Sequence, residues 1–153
     1  MDLILWRHAE AFDVDGEAED LERALTARGE RHAARMASWL GQHLPATTRV
    51  LASPARRCQQ TAAALDRKCK TITALGPEGT APGLLSAARW PDSREPVLVI
   101  GHQPTLGLVA AYLLAGQAQP WSVKKGAVWW LRRREREGNA QTVLVTVRGP
   151  ENV

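Results

Sequence analysis

The sequence predicts an α/β fold: a three-layer sandwich with a mostly parallel central sheet, helices on both faces and an antiparallel edge. Three observations carry that prediction. Short apolar runs alternate with amphipathic stretches along the chain, as strands and crossover helices do. No internal repeat and no linker rich in Gly, Pro and Ser divides the 153 residues, so one domain over 1–153 is expected. The last two apolar segments, Ala127 to Arg132 and Thr142 to Arg148, are joined near Gly138 and Asn139, which suits an antiparallel pair at one edge.

The elements follow in order. Residues 2–6 read as a buried strand, and from 7 to about 24 the chain reads as a polar loop carrying Asp13, Asp15, Gly16, Glu17, Glu19 and Asp20. Thr26 is a helix cap with Glu30 in the first turn, and Ala33, Met36, Ala37, Leu40 and Leu44 recur at helical spacing until Pro45. Arg49 to Ala52 reads as the second strand. Ser53 and Pro54 then read as a cap and first helical residue, with Cys58, Thr61, Ala62 and Leu65 as the inward stripe. Thr71 to Leu75 reads as a short third strand, and the stretch from Gly76 to Pro91 allows only a brief helix near Leu84 to Arg89. Pro96 to Ile100 is the clearest buried strand. Gly101 to Pro104 turn it into a helix bearing Leu106, Val109, Ala110 and Leu113.

Hydrophobic residues make up 44% and charged residues 24%, the range of a globular protein rather than of a disordered or membrane one. The apolar opening, Leu3 to Trp6, stops at Arg7 and is too short for a signal sequence or a membrane span, so a cytoplasmic protein with no membrane partner is expected. Cys58 and Cys69 fit no zinc or redox spacing. On one continuous helix they would stand about 16 Å apart along the axis, too far to bridge, and they read as reduced thiols. The net charge is +4, and the run Arg132, Arg133, Arg134 and Arg136 reads as a solvated edge, although whether it binds a partner is open.

Chemistry is expected where three strands end in polar, cationic residues: Arg7 and His8, Ser53 to Arg57, and His102. The carboxyl ends of parallel strands lie along one sheet edge, so these distant residues should meet there. Two histidines and at least two arginines, without a cluster of carboxylates or cysteines, make a pocket for an anion rather than a metal. Guanidinium forks match phosphate oxygens. Arg56 and Arg57 also fall in the first turn of the second helix, where the helix dipole disfavours a cation unless an oxyanion is bound; of the two, Arg57 is expected inward and Arg56 outward. A neutral His8 would be nucleophilic at one nitrogen if a carbonyl held the other nitrogen's proton. His102, if protonated, would donate to a phosphoryl oxygen. His32 and His43 read as structural.

The set Arg7, His8, Ala9 and Glu10, then Leu25, Thr26 and Gly29, then Ser53, Pro54, Arg57, Gln60 and Thr61, then Gly101, His102 and Pro104 resembles the histidine phosphatase superfamily, in particular its small phosphohistidine-phosphatase branch. The resemblance spans residue 1 to about 148. It implies that His8 is transiently phosphorylated, that Arg7, Arg57 and His102 hold the phosphoryl oxygens, and that neither metal nor cofactor is required. It further implies that Arg23 lines the substrate entrance. The chain lacks room for the long insertions of larger relatives, so an open pocket suited to a phosphorylated side chain of another protein is expected. Larger relatives also use a carboxylic acid to protonate an alcohol leaving group, and Glu78 is the nearby candidate here. Phosphohistidine needs that help less, which favours it as substrate.

Three other readings stand beside this one. The chain could hydrolyse small phosphomonoesters such as sugar phosphates, or it could recognise a phosphorylated partner without turnover. A nucleic-acid module built on Arg132 to Arg136 with Trp129 and Trp130 is disfavoured, because those tryptophans lie in a strand pattern that buries at least one of them. Oligomeric state is not legible.

Overall fold

The computed structural model describes residues 1–13 and 17–153; part of the predicted polar loop, including Asp15 and Gly16, lies outside the described residues. The element order is β1 Asp2–Arg7, α1 Glu17–Asp20, α2 Ala27–His43, β2 Arg49–Ala52, α3 Arg56–Ala63, β3 Lys70–Thr71, a 3-10 turn Thr73–Leu75, α4 Ala81–Ala87, β4 Val97–Gly101, α5 Thr105–Ala115, β5 Val128–Arg136 and β6 Asn139–Arg148. The strands form one six-stranded sheet in the order β3-β2-β4-β1-β5-β6. β1, β2, β3 and β4 pair in parallel, whereas β5 runs antiparallel to both β1 and β6.

Strand periodicity divides the core into two layers. Leu3, Leu5, Leu51, Val97 and Val99 face α4 and α5, where Leu84, Leu106 and Val109 meet them. Ile4, Trp6, Val50, Ala52, Leu98 and Ile100 face α2 and α3 and pack on Met36, Leu40, Cys58 and Ala62. Every residue of β4 is buried, as a strand covered on both faces requires. The predicted sandwich, parallel sheet and antiparallel edge are therefore all present. Among the described residues no helix is long and apolar enough to cross a membrane.

Local signals set most boundaries. Thr26 caps α2 by accepting from the Gly29 amide at 3.0 Å, and α5 ends at Gly116 in the left-handed region. Glu137 and Gly138 both have positive φ, so the two residues between β5 and β6 form a primed hairpin turn.

Other boundaries differ from the sequence reading. The predicted strand Thr71 to Leu75 is only the pair Lys70–Thr71 followed by a 3-10 turn, because buried Leu75 and half-buried Ile72 stand three residues apart and share a face. α4 begins three residues before the predicted Leu84, since Thr80 accepts from the Gly83 amide and Pro82 suits a first turn. The polar loop contains α1 and a bridge between Ala11 and Leu25. Both strands of the terminal hairpin, β5 and β6, are longer than predicted, because their ladder runs out to Arg136 and Asn139.

Ser53 is not the cap of α3. That helix starts at Arg56 with Ala55 at the cap position and no side-chain bond there. Ser53 Oγ instead accepts from the Ala55 amide at 3.1 Å, closing a tight turn before the helix. α3 ends at Ala63, so Leu65 and Cys69 lie beyond it and the two cysteines do not share a helix. Both are free thiols, Cys58 buried and Cys69 half-buried.

Candidate active site

Because β2, β4 and β1 are neighbours, their carboxyl ends deliver Ser53 to Arg57, His102 and His8 to one place. A cavity of about 240 Å³ lies there, with Arg7, His8, Arg23, Arg57, His102 and Lys125 among its lining residues. All four predicted catalytic residues thus converge. A larger cleft of about 650 Å³, at the opposite end of β2, contains neither histidine.

His8 is buried, and its Nδ1 lies 2.8 Å from the Ala9 carbonyl. A carbonyl only accepts, so Nδ1 carries the proton and Nε2 is the basic nitrogen. The Ala9 amide donates to Thr61 Oγ1 at 3.1 Å, and Thr61 Oγ1 donates to the Arg57 carbonyl at 2.7 Å, which ties the His8 backbone to α3. Burial lowers the His8 pKa to about 4. The Ala9 bond opposes that shift, and Arg57, Arg7 and Arg23 reinforce it, so the ring is neutral at pH 7.

His102 is held from both sides. Arg57 Nη2 lies 3.4 Å from its Nδ1, and Ser53 Oγ lies 2.8 Å from its Nε2. Since the guanidinium can only donate, Nδ1 is the acceptor and Nε2–H points to Ser53. Burial, then Arg57 and His8, depress its pKa to about 3. The two imidazoles stand 5.3 Å apart, centroid to centroid. A dianion bound between them would reverse the electrostatic cause and favour a proton on His102 Nδ1.

The arginines are fixed by backbone and by one carboxylate. Arg7 Nη1 donates to the Val123 carbonyl at 2.9 Å, and burial lowers the Arg7 pKa. Arg57, 3% exposed, donates through Nη1 to the Asp20 carbonyl at 2.7 Å and through Nη2 to Asp20 Oδ2 at 3.1 Å. Asp20 Oδ1 accepts from Arg23 Nε at 3.0 Å. Burial raises the Asp20 pKa, but the bonds from Arg57 and Arg23 outweigh it and leave the carboxyl below its ordinary value. Asp20 therefore supplies the negative charge that lets a cation sit in the first turn of α3. Arg56 is exposed, as expected. The Nε atoms of Arg7 and Arg57 are buried without a partner among the described residues.

Arg23 lines the cavity, whereas Glu78, the other expected substrate-binding residue, does not. Glu78 lines an adjoining groove with Asp20 and Pro77, and only Pro77 lines both spaces. Sequence reasoning missed Asp20, Ser53 as the partner of His102, and Lys125. The i,i+3 spacing of Asp20 and Arg23 could have signalled the first; nothing local signals Lys125. His43 bonds the Trp39 carbonyl and stacks on the Trp39 ring, and His32 lines another groove, so neither reaches the cavity. Among the described residues no three His, Cys, Asp or Glu side chains are grouped so as to hold a metal ion. At the other edge, Arg132 pairs with Asp2, and buried Trp130 donates to the same carboxylate, so neither is free to clamp or stack on a base.

Comparison with known proteins gives concordant results. Residues 3–77 match the sequence pattern of the histidine phosphatase superfamily (branch 1). The chain is 33% identical over 129 residues to the phosphohistidine phosphatase SixA of Escherichia coli K12, covering 78% of each protein. It is 38% identical over 111 residues to the uncharacterised protein Rv1276c of Mycobacterium tuberculosis H37Rv, covering 70% of this chain and 68% of that protein. The solved structure of protein histidine phosphatase SixA complexed with tungstate superposes with a TM-score of 0.76 at 27% identity, covering 99% of both chains.

Proposed function

This chain belongs to the histidine phosphatase superfamily, and from that premise we propose that it is a metal-independent phosphatase acting through a phosphohistidine on His8, with phosphohistidine in a protein as its substrate. One observation carries the proposal: the Ala9 carbonyl holds the Nδ1 proton of His8, so a neutral, basic Nε2 sits among Arg7, Arg57 and His102.

In the first step Nε2 attacks phosphorus. An Nε2–P bond forms, the bond from phosphorus to the substrate's ring nitrogen breaks, and the leaving imidazole departs neutral, because its other ring nitrogen already carries a proton. In the second step water attacks the phosphorylated His8, and inorganic phosphate and neutral imidazole result. The work of the site is to align these in-line displacements and to offset charge on the equatorial oxygens. Arg7 and Arg57 supply fixed positive charge, with Nε groups that await acceptors. The grouping of Arg7, Arg57, Arg23 and Lys125 around the two histidines supports an anionic, phosphoryl-sized guest. Asp20 cannot be the proton donor, since its bonds to two guanidiniums keep it ionised. That fits a substrate whose leaving group carries its own basic nitrogen.

The test is hydrolysis of phosphohistidine peptides, phosphoserine peptides and sugar phosphates in excess chelator, with detection of acid-labile phosphate on the enzyme. Turnover of phosphohistidine and labelling that disappears in His8→Ala are expected. A strict metal requirement, or undiminished turnover by His8→Ala, would refute the mechanism; preference for sugar phosphates would refute the substrate.

A further inference from the structure

We infer that the groove beside the catalytic cavity is a second substrate subsite, receiving an apolar side chain and an adjacent Lys or Arg that flank the phosphorylated residue of a protein substrate. The inference rests on the proposed protein substrate and adds what that protein's sequence must look like.

The cavity around His8 is small, about 240 Å³, and its charged lining residues are three arginines and a lysine against one aspartate, so it suits the phosphoryl group rather than the body of a substrate. Beside it lies a groove of about 700 Å³ lined by Asp20, Leu21, Pro54, Ala74, Pro77 and Glu78 together with Thr73 and two glycines. The two spaces meet at Pro77. They are also joined through Asp20, whose carboxylate bonds Arg57 of the cavity while the residue lines the groove. A phosphorylated side chain seated on His8 would therefore bring its own backbone neighbours to this groove.

The surface of the groove specifies what those neighbours should be. Leu21 is 46% exposed, one of few large apolar side chains left open to water, and Pro54 and Ala74 are exposed beside it. The Leu21 backbone is fixed, because its carbonyl accepts from the Arg56 amide at 2.9 Å. An apolar side chain would gain by covering this patch. The charged groups of the groove are both acidic. Asp20 is already paired with Arg57 and Arg23, but Glu78 is exposed and among the described residues lies within 4.0 Å of no Lys or Arg nitrogen. Glu78 is thus the open charge, and it calls for a cation. Lys125, which lines the catalytic cavity and not the groove, would repel a cation there, so a basic neighbour is favoured in the groove alone.

The experiment compares kcat/KM of the full chain on three phosphohistidine peptides that differ only in the flank: apolar plus Lys, alanine, or apolar plus Glu. The expected order is Lys above alanine above Glu, with about tenfold between the extremes. The charge-swapped variant Glu78→Lys should invert the preference between the Lys and Glu flanks, and Leu21→Ser should shrink the advantage of the apolar flank. Each result is a ratio within one enzyme, so a loss of overall activity does not mimic it. Equal turnover of the three peptides, or a ratio unmoved by Glu78→Lys, would overturn the subsite and leave the phosphohistidine reading intact. Failure to turn over any peptide while small phosphate esters are hydrolysed would overturn the protein-substrate reading itself.

Discussion

His8 has one nitrogen committed to the backbone and the other surrounded by positive charge, and both facts have measurable consequences. With a pKa near 4, its ring resonances should titrate about 2 pH units or more below an ordinary histidine near 6.5; a midpoint near 6.5 in a side-chain NMR titration would contradict the burial described. Arg57 should be the most sensitive cation, because it touches Asp20 and His102 together. Arg57→Ala is expected to lower kcat/KM by roughly 100- to 1000-fold, the range for loss of a fixed oxyanion donor. Arg57→Lys should recover only part, since an ammonium lacks the fork. At this scale the sequence was informative where chemistry follows directly from residue type: Arg7, His8, Arg57 and His102 each close a strand or open a helix. It was silent on Lys125, whose place depends on how the 121–126 segment crosses the sheet edge.

Elements fix these side chains through a few close contacts. A Cβ on Gly29 would stand 2.0 Å from the Glu10 carbonyl oxygen, so only glycine lets the start of α2 lie against the segment that follows His8. Gly29→Ala should cost about 1–3 kcal/mol and lower kcat as well as the melting temperature; an unchanged melt would show that the contact can relax. Ser53 works between elements. Its loss in Ser53→Ala leaves the buried His102 Nε2–H with only the weaker Cys58 Sγ, 3.5 Å away, and a destabilisation of about 1–3 kcal/mol in denaturant titration is expected. The sequence placed Ser53 as a cap because Ser before Pro is a common helix start, and only the neighbouring strand β4 reveals its other partner. Apolar spacing similarly could not separate a strand from a 3-10 turn over Thr71 to Leu75, where five residues are too few to define a period. Long patterns such as α2 and β4 had no such ambiguity.

At the scale of the molecule, two neutral buried histidines link stability to pH. Their folded pKa values lie below the unfolded value near 6.5, so on acidification the unfolded chain takes up protons first. Stability should be complete above about pH 6.5 and decline toward pH 4, with His8 alone accounting for roughly 3 kcal/mol once both states are protonated. Denaturation midpoints across that window provide the check, and His8→Ala should flatten the slope. Sheet order adds a further consequence. The strands that carry the reactive groups, β2, β4 and β1, each have a hydrogen-bonded neighbour on both sides, while β3 and β6 form the rims. Backbone amides beneath the two imidazoles should therefore rank among the slowest to exchange with deuterium, opening only when the entire chain unravels. Thermal inactivation should then coincide with global melting instead of preceding it, as it would for a catalytic centre mounted on a frayed periphery.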